Sequence, residues 1–332
     1  MNSALALLSL FLLLGPAGAA AVGADEPEAC RAVAGFRPGP LAEATPADRE
    51  RFAGSSAVDC QKLLYASGAG RDVEAARRCC LATGDCHREL AVIFANGWGV
   101  ARDVETATWF LCRAGEEMAP FEQAGMLEHL AAMRGAAEPE DLDYCSQVTS
   151  GHGMSFCAGL DFDRAAAAWE PRLATVATAL APAARDALSA LRAAADRFSE
   201  LEGAFLADSS FGGTIYPSQA LGERQAAFER FVAALERFTA ERAPVATAEG
   251  FARTDRELNA AYRQAMSEAL TETGRPALRE AQRAWIALRD RWQALYRQRW
   301  EGAAAPAALE REIATALSAT RARELLASRE SP

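Results

Sequence analysis

Lysine is almost missing from this 332-residue chain. Lys62 stands alone, and the rest of the basic charge is carried by arginine. A net charge of −10 and a pI near 5.1 exclude the basic surface that phosphate contacts require, so nucleic acid is not an expected partner. Histidine occurs only at 87, 129 and 152. There is no G-x-S-x-G elbow, no HExxH pair and no glycine-rich phosphate loop, and the carboxylates recur at helix-surface spacing. No catalytic residue, metal site or cofactor is therefore expected. Beyond Cys157 there is no cysteine. β-Branched residues are sparse and alanine is frequent, which favours helix throughout.

Charge is also absent from the side chains of residues 1–24, "MNSALALLSLFLLLGPAGAAAVGA". An apolar run from Leu5 to Leu14, then Gly15-Pro16 and small residues, has the layout of a secretory signal ending at about 20–24. The run is short for a membrane anchor, the competing reading. No stable membrane span is expected after cleavage. The eight cysteines (30, 60, 79, 80, 86, 112, 145 and 157) fit export to the periplasm or medium, where an even number suggests disulfides. Their spacing does not form a CxxC…CxxC zinc pattern.

Two repeat systems follow an N-terminal extension at 25–57. In the first, at about 58–150, "GRDVEAARRCCLATG" (70–84) recurs 31 residues later as "ARDVETATWFLCRAG" (101–115). Each copy follows a glycine-containing turn and an apolar stretch. The pattern predicts helical hairpins stacked as a short solenoid. "LAVIFANGWGVARDVETATWFLCRAG" resembles a Sel-one-like repeat, a relative of the tetratricopeptide repeat, through Leu90, Gly97, Gly99, Val100, Asp103, Ala107, Trp109 and Ala114. That resemblance implies a protein-interaction scaffold. Residues equidistant from a hairpin turn face one another, which pairs Cys60 with Cys79 and Cys86 with Cys112. Cys145 and Cys157 flank a small loop, and Cys30 is left for Cys80. Eight cysteines permit 105 pairings, of which this is one.

The second system is expected to form tandem three-helix units at 155–241 and 252–328, joined by a linker at 242–251. In "RPALREAQRAWIALRDRWQALYRQRW" (275–300), Leu278, Ala281, Trp285, Leu288, Trp292 and Leu295 recur at steps of three and four, a seam facing partner helices. "LRAAADRFSELEGAFLADS" (191–209) repeats this plan at an offset of 90. "TDRELNAAYRQAM" followed by "LREAQRAWIALRDRW" resembles the LprI-like lysozyme inhibitor family through Asp255, Leu258, Asn259, Tyr262, Leu278, Gln282, Arg283, Trp285, Arg289 and Asp290. The resemblance covers 252–327 and extends more weakly to 157–240, where "FGGTIYP" matches a family loop. The cysteine usual after the Arg-Asp pair is absent, and the earlier copy has Ala195 in place of the tryptophan.

The resemblance implies an exported envelope protein that binds a wall-cleaving enzyme such as a basic lysozyme-type hydrolase. The alternative is a helical scaffold without inhibitory activity. Gln282, Arg283, Arg289 and Asp290 read either as a binding face, with Arg289 stacked on Trp285, or as polar residues setting the register around a buried tryptophan. Asp255 and Asn259 read as a helix start and an interhelix hydrogen bond. The irregular stretch 207–219, with Asp208, Phe211, Gly212, Gly213 and Tyr216, is the candidate binding loop, or else a connection whose aromatics pack back on the bundle. N-terminal sequencing of the exported protein is expected to start between Ala19 and Asp25. Retention of Met1 in a membrane pellet would contradict the secretory signal.

Overall fold

A computed structural model describes residues 27–209, 213–269 and 271–327. The expected secretory signal lies outside them. The described residues contain helices and no strand, and no helix among them is long and apolar enough to cross a membrane.

The N-terminal half holds α1 (Glu28–Ala32), α2 (Pro46–Arg51), α3 (Ala57–Tyr65), α4 (Val73–Thr83), α5 (His87–Asn96), α6 (Val104–Leu111) and α7 (Pro120–Gly135). The 31-residue repeat has a local physical cause. Asp72 and Asp103 are the N-caps of α4 and α6, each accepting from the backbone N–H three residues on, at 2.9 Å. Their own N–H groups donate back to Leu63 and Phe94, again 31 residues apart and both at 2.9 Å. The two hairpins α3–α4 and α5–α6 thus close with the same turn. Ala76 and Ala107, at equivalent places, are fully buried.

The disulfides are Cys60–Cys79, Cys145–Cys157 and Cys30–Cys112. The expected Cys86–Cys112 and Cys30–Cys80 bridges are not formed, and Cys80 and Cys86 are free and buried. Mirror pairing assumes that both cysteines sit inside the paired helices. Cys86 is instead the N-cap of α5, its sulfur lying among those of Cys60 and Cys80. Cys112 is the C-cap of α6, where it bonds to α1. Glu117 caps α5 in place of Cys86, accepting from the N–H groups of His87 and Arg88 and from His87 Nδ1 at 2.7 Å. His87 is thereby committed to a structural contact.

The C-terminal half holds α8 (Gly151–Thr178), α9 (Pro182–Ser209), α10 (Tyr216–Ala240), α11 (Ala248–Glu268), α12 (Gly274–Arg299) and α13 (Pro306–Ala327). The helices follow the three-plus-three plan, but the two sets share one core. Leu191 and Phe205 of α9, Phe231 and Phe238 of α10, Leu278, Trp285 and Trp292 of α12, and Ile313 and Leu325 of α13 belong to a single cluster of buried residues. The main contact between the sets is the pair α9–α12. It is antiparallel: Asp208 at the end of α9 meets Thr273 before α12, and Glu202 and Gln282, about two turns in, share Arg321. Gly203 lets α10 close on α9, since a Cβ there would come within 2.4 Å of the Ala220 carbonyl.

Arg321 of α13 is fully buried. Its guanidinium donates two hydrogen bonds to Glu202, at 2.5 and 2.9 Å, and one from Nε to Gln282 Oε1 at 3.2 Å. It also lies 5.1 Å from the Phe198 ring centroid. Burial disfavours its charge, but Glu202 outweighs that cost and holds the guanidinium above its ordinary pKa. Glu324, part-exposed and 3.5 Å away, is a weaker second partner, so removing Glu202 leaves the buried charge poorly compensated. Glu202→Ala is expected to cost about 3–5 kcal/mol in denaturant unfolding. The double change Glu202→Leu with Arg321→Met is expected to cost much less, as no ion is stranded.

Candidate functional site

The stretch at 207–219 is docked at both ends. Asp208 accepts from Thr271 Oγ1 at 2.6 Å and from Thr273 Oγ1 at 2.8 Å, so its carboxylate ties the end of α9 to the turn before α12. Phe211 and Gly212 lie outside the described residues. Gly213 adopts φ +83°, in the left-handed region that glycine tolerates. Thr214 rests on the start of α8, where a Cβ on Gly151 would be 2.2 Å from the Thr214 carbonyl oxygen. Tyr216 is half-buried, and its hydroxyl donates to the Ala204 carbonyl at 3.3 Å. Of the described residues here, Ile215 is the large apolar side chain left exposed.

Apart from Arg283, which is exposed, the residues of the Asp255–Asp290 pattern separate into three groups. Leu258, Gln282 and Trp285 are buried, and Tyr262 packs at the edge of the same core. Gln282 accepts from Arg321 and so fixes the register of α12 against α13. Arg289 is half-buried, with its guanidinium 5.5 Å from the Trp285 ring centroid and 3.5 Å from the Asp290 carboxylate. Asp255 and Asn259 form an exposed pair within α11: the Asn259 amide donates to the Asp255 carbonyl at 2.8 Å and to its carboxylate at 3.1 Å. Two expectations are corrected here. Asp255 does not start a helix, because α11 begins seven residues earlier with Thr247 as N-cap. The Asn259 bond is within one helix and not between two. Nor is Asp208 beside the Trp285 group, which lies eleven residues into α12, roughly 16 Å along its axis.

Residues 239–325 match the family model described as lysozyme inhibitor LprI. No curated protein and no solved structure matches the chain. The LprI match starts in the last turn of α10 and takes in α11, α12 and nearly all of α13. It contains Gln282, Arg321 and Glu324, whose carboxylate lies 3.5 Å from the guanidinium, but not Glu202, so the carboxylate that takes two hydrogen bonds from the buried arginine comes from outside the LprI segment.

Charge is divided along the chain in a way its total conceals. Residues 25–150 carry 12 basic against 21 acidic side chains, whereas 251–332 carry 14 arginines against 11 acidic ones. The acidity therefore belongs mainly to the hairpins and not to the LprI segment. The hairpin half also holds a cleft of about 830 Å³, lined by Pro40, Leu41, Phe94, Glu105, Met133 and Arg134. A smaller cavity of about 370 Å³ lies among α8, α9 and α10, lined by Phe162, Trp169, Arg192, Asp196 and Phe228. Sequence reasoning missed both cavities, along with Glu202 and Arg321.

Trp285→Ala is expected to destabilise the bundle by roughly 3–5 kcal/mol, the range for a large core aromatic. Arg289→Ala, which removes a half-exposed cation–π contact, should cost about 1 kcal/mol or less. Thermal unfolding of the two variants checks the ranking. An unchanged Trp285→Ala melting curve would place that side chain in a binding face and not in the core.

Proposed function

We propose that this chain is an exported envelope protein that binds a basic wall-cleaving hydrolase of the lysozyme type and blocks it without covalent chemistry. The observation that carries this reading is the LprI match over 239–325, a family described as one of lysozyme inhibitors. Three bridges, two within the hairpin half and one joining it to α8, fit an oxidising compartment. On this reading the division of charge gives the halves different tasks. The acidic hairpins attract a basic enzyme and raise its association rate. The helical bundle, which contains the LprI segment and the loop before α10, supplies the specific contact. The 213–216 end of the 207–219 loop, with exposed Ile215, is the proposed blocking element. No catalytic role is assigned to any side chain.

A second reading keeps the hairpins as an interaction scaffold with no inhibitory activity. Its support is the common Asp72 and Asp103 turn, which makes α3–α6 a repeated unit. We read these hairpins as Sel-one-like repeats and residues 157–240 as a diverged LprI-like copy.

The test is loss of turbidity of a bacterial wall suspension by lysozyme, with and without excess mature protein at about 0.15 M salt, near a Debye length of 8 Å. Slower clearing, relieved by Ile215→Asp while helical content is kept, is the expected result. Equal clearing rates against a panel of lysozymes would reject inhibition in favour of the scaffold. Inhibition that vanishes with salt and ignores Ile215→Asp would assign the effect to net charge alone.

A further inference from the structure

Cys80 and Cys86 stand apart from the three bridges, yet they stand together. Cys80 is in the last turn of α4, Cys86 is the N-cap of α5, and the turn between them passes through Gly84 at φ +76°. Both are at most 1 % exposed. Their sulfurs, with that of Cys60, lie within 4.8 Å of one another. Cys79 and Cys80 are adjacent in sequence but point apart, because successive residues on a helix differ by about 100°. Cys79 reaches α3 and bonds Cys60, whereas Cys80 reaches back toward α5.

We propose that Cys80 and Cys86 form a fourth disulfide in the exported protein, fastening the first hairpin to the second. The sulfurs are within 4.8 Å across one short turn, close enough for a small local adjustment to bring them toward the bond length of about 2.05 Å. The chemistry is a two-electron exchange with a disulfide donor, either a thiol oxidase of the export compartment or oxidised glutathione. Two S–H bonds break, the Cys80–Cys86 bond forms, and two protons and two electrons convert the donor disulfide into two thiols. A zinc site fits less well. With Cys60 already bonded to Cys79, the cluster offers two thiolates, short of the four ligands of a structural zinc. Burial also raises the Cys80 thiol pKa, with the neighbouring Cys86 thiol adding to the shift. With both sulfurs buried, an external disulfide cannot reach them once the hairpins have packed, so the bridge closes during folding.

Peptide mapping of the full chain tests this directly. The chain is refolded in a glutathione redox buffer, then denatured without reductant in the presence of iodoacetamide. Trypsin releases residues 79–88, which hold Cys79, Cys80 and Cys86, and residues 52–62, which hold Cys60. The expected result is these two peptides joined and free of alkylation. In Cys80→Ser/Cys86→Ser the two peptides remain joined, and the melting temperature falls by roughly 5 °C under oxidising conditions only. Two alkylated cysteines at 80 and 86 in the wild-type chain would overturn the proposal. So would alkylated Cys60 and Cys79 in the double variant, which would show that Cys60 had paired elsewhere. Adding oxidised glutathione only after folding under reductant should leave Cys80 and Cys86 reduced for much longer than adding it during folding.

Discussion

A fully buried arginine cannot stand without its carboxylate, and this requirement ties the C-terminal half into one body. Arg321 projects from α13, and the carboxylate it holds with two hydrogen bonds, Glu202, is 119 residues earlier on α9. The ion pair need not add net stability, since burying two charges costs several kcal/mol. Its effect is on pairing. Any arrangement that separates α9 from α13 takes away the carboxylate that accepts two of the arginine's hydrogen bonds and leaves the part-exposed Glu324, 3.5 Å away on the same helix, as the remaining ion-pair partner. Gln282 on α12 accepts the remaining Nε–H and fixes the third helix in register. Phe198 lies against that polar centre, and Trp285 and Trp292 belong to the same buried core. Asp208 repeats the logic at the bundle end, holding the turn before α12 through two threonine hydroxyls.

The N-terminal half is held by different means. Its helices are short, the longest being the 16-residue α7, and short helices are marginal on their own. Bridges and buried side-chain caps compensate. Glu117 caps α5 from outside its hairpin. Glu122 of α7 accepts from the N–H groups of Thr149 and Ser150 at the entry to α8, joining the halves through the backbone. The acidic hairpins and the helical bundle are thus physically coupled.

Much of the architecture was legible in the residue pattern because the relevant physics is local. The all-helical class followed from alanine content and periodicity. The hairpin turns followed from glycine and from the paired Asp72 and Asp103. The seam from Leu278 to Leu295 was read as buried, and it is. Legibility ended where partners are distant in sequence. Among the many arginines of residues 251–332, no spacing marks Arg321 as the buried one or points to Glu202. The Cys86–Cys112 pairing failed because mirror symmetry about a turn ignores where each helix ends, and both cysteines are caps. Asp255 looked like a helix start because aspartate often is one, but Thr247 and the chain leading to it begin the helix earlier. For the candidate loop, sequence identified an irregular segment but not that Asp208 is spent on Thr271 and Thr273.

The central claim is that the LprI segment of this chain is completed by α9 and is not a self-sufficient domain. Equilibrium unfolding of residues 239–327 produced alone, compared with residues 151–327, tests it most directly. The account predicts that the longer segment unfolds in one cooperative transition. It also predicts that the shorter one does not fold as a monomer, since Arg321 lacks Glu202 and the apolar face of α12 lacks its cover. A monomeric 239–327 with a cooperative transition of similar stability would contradict it.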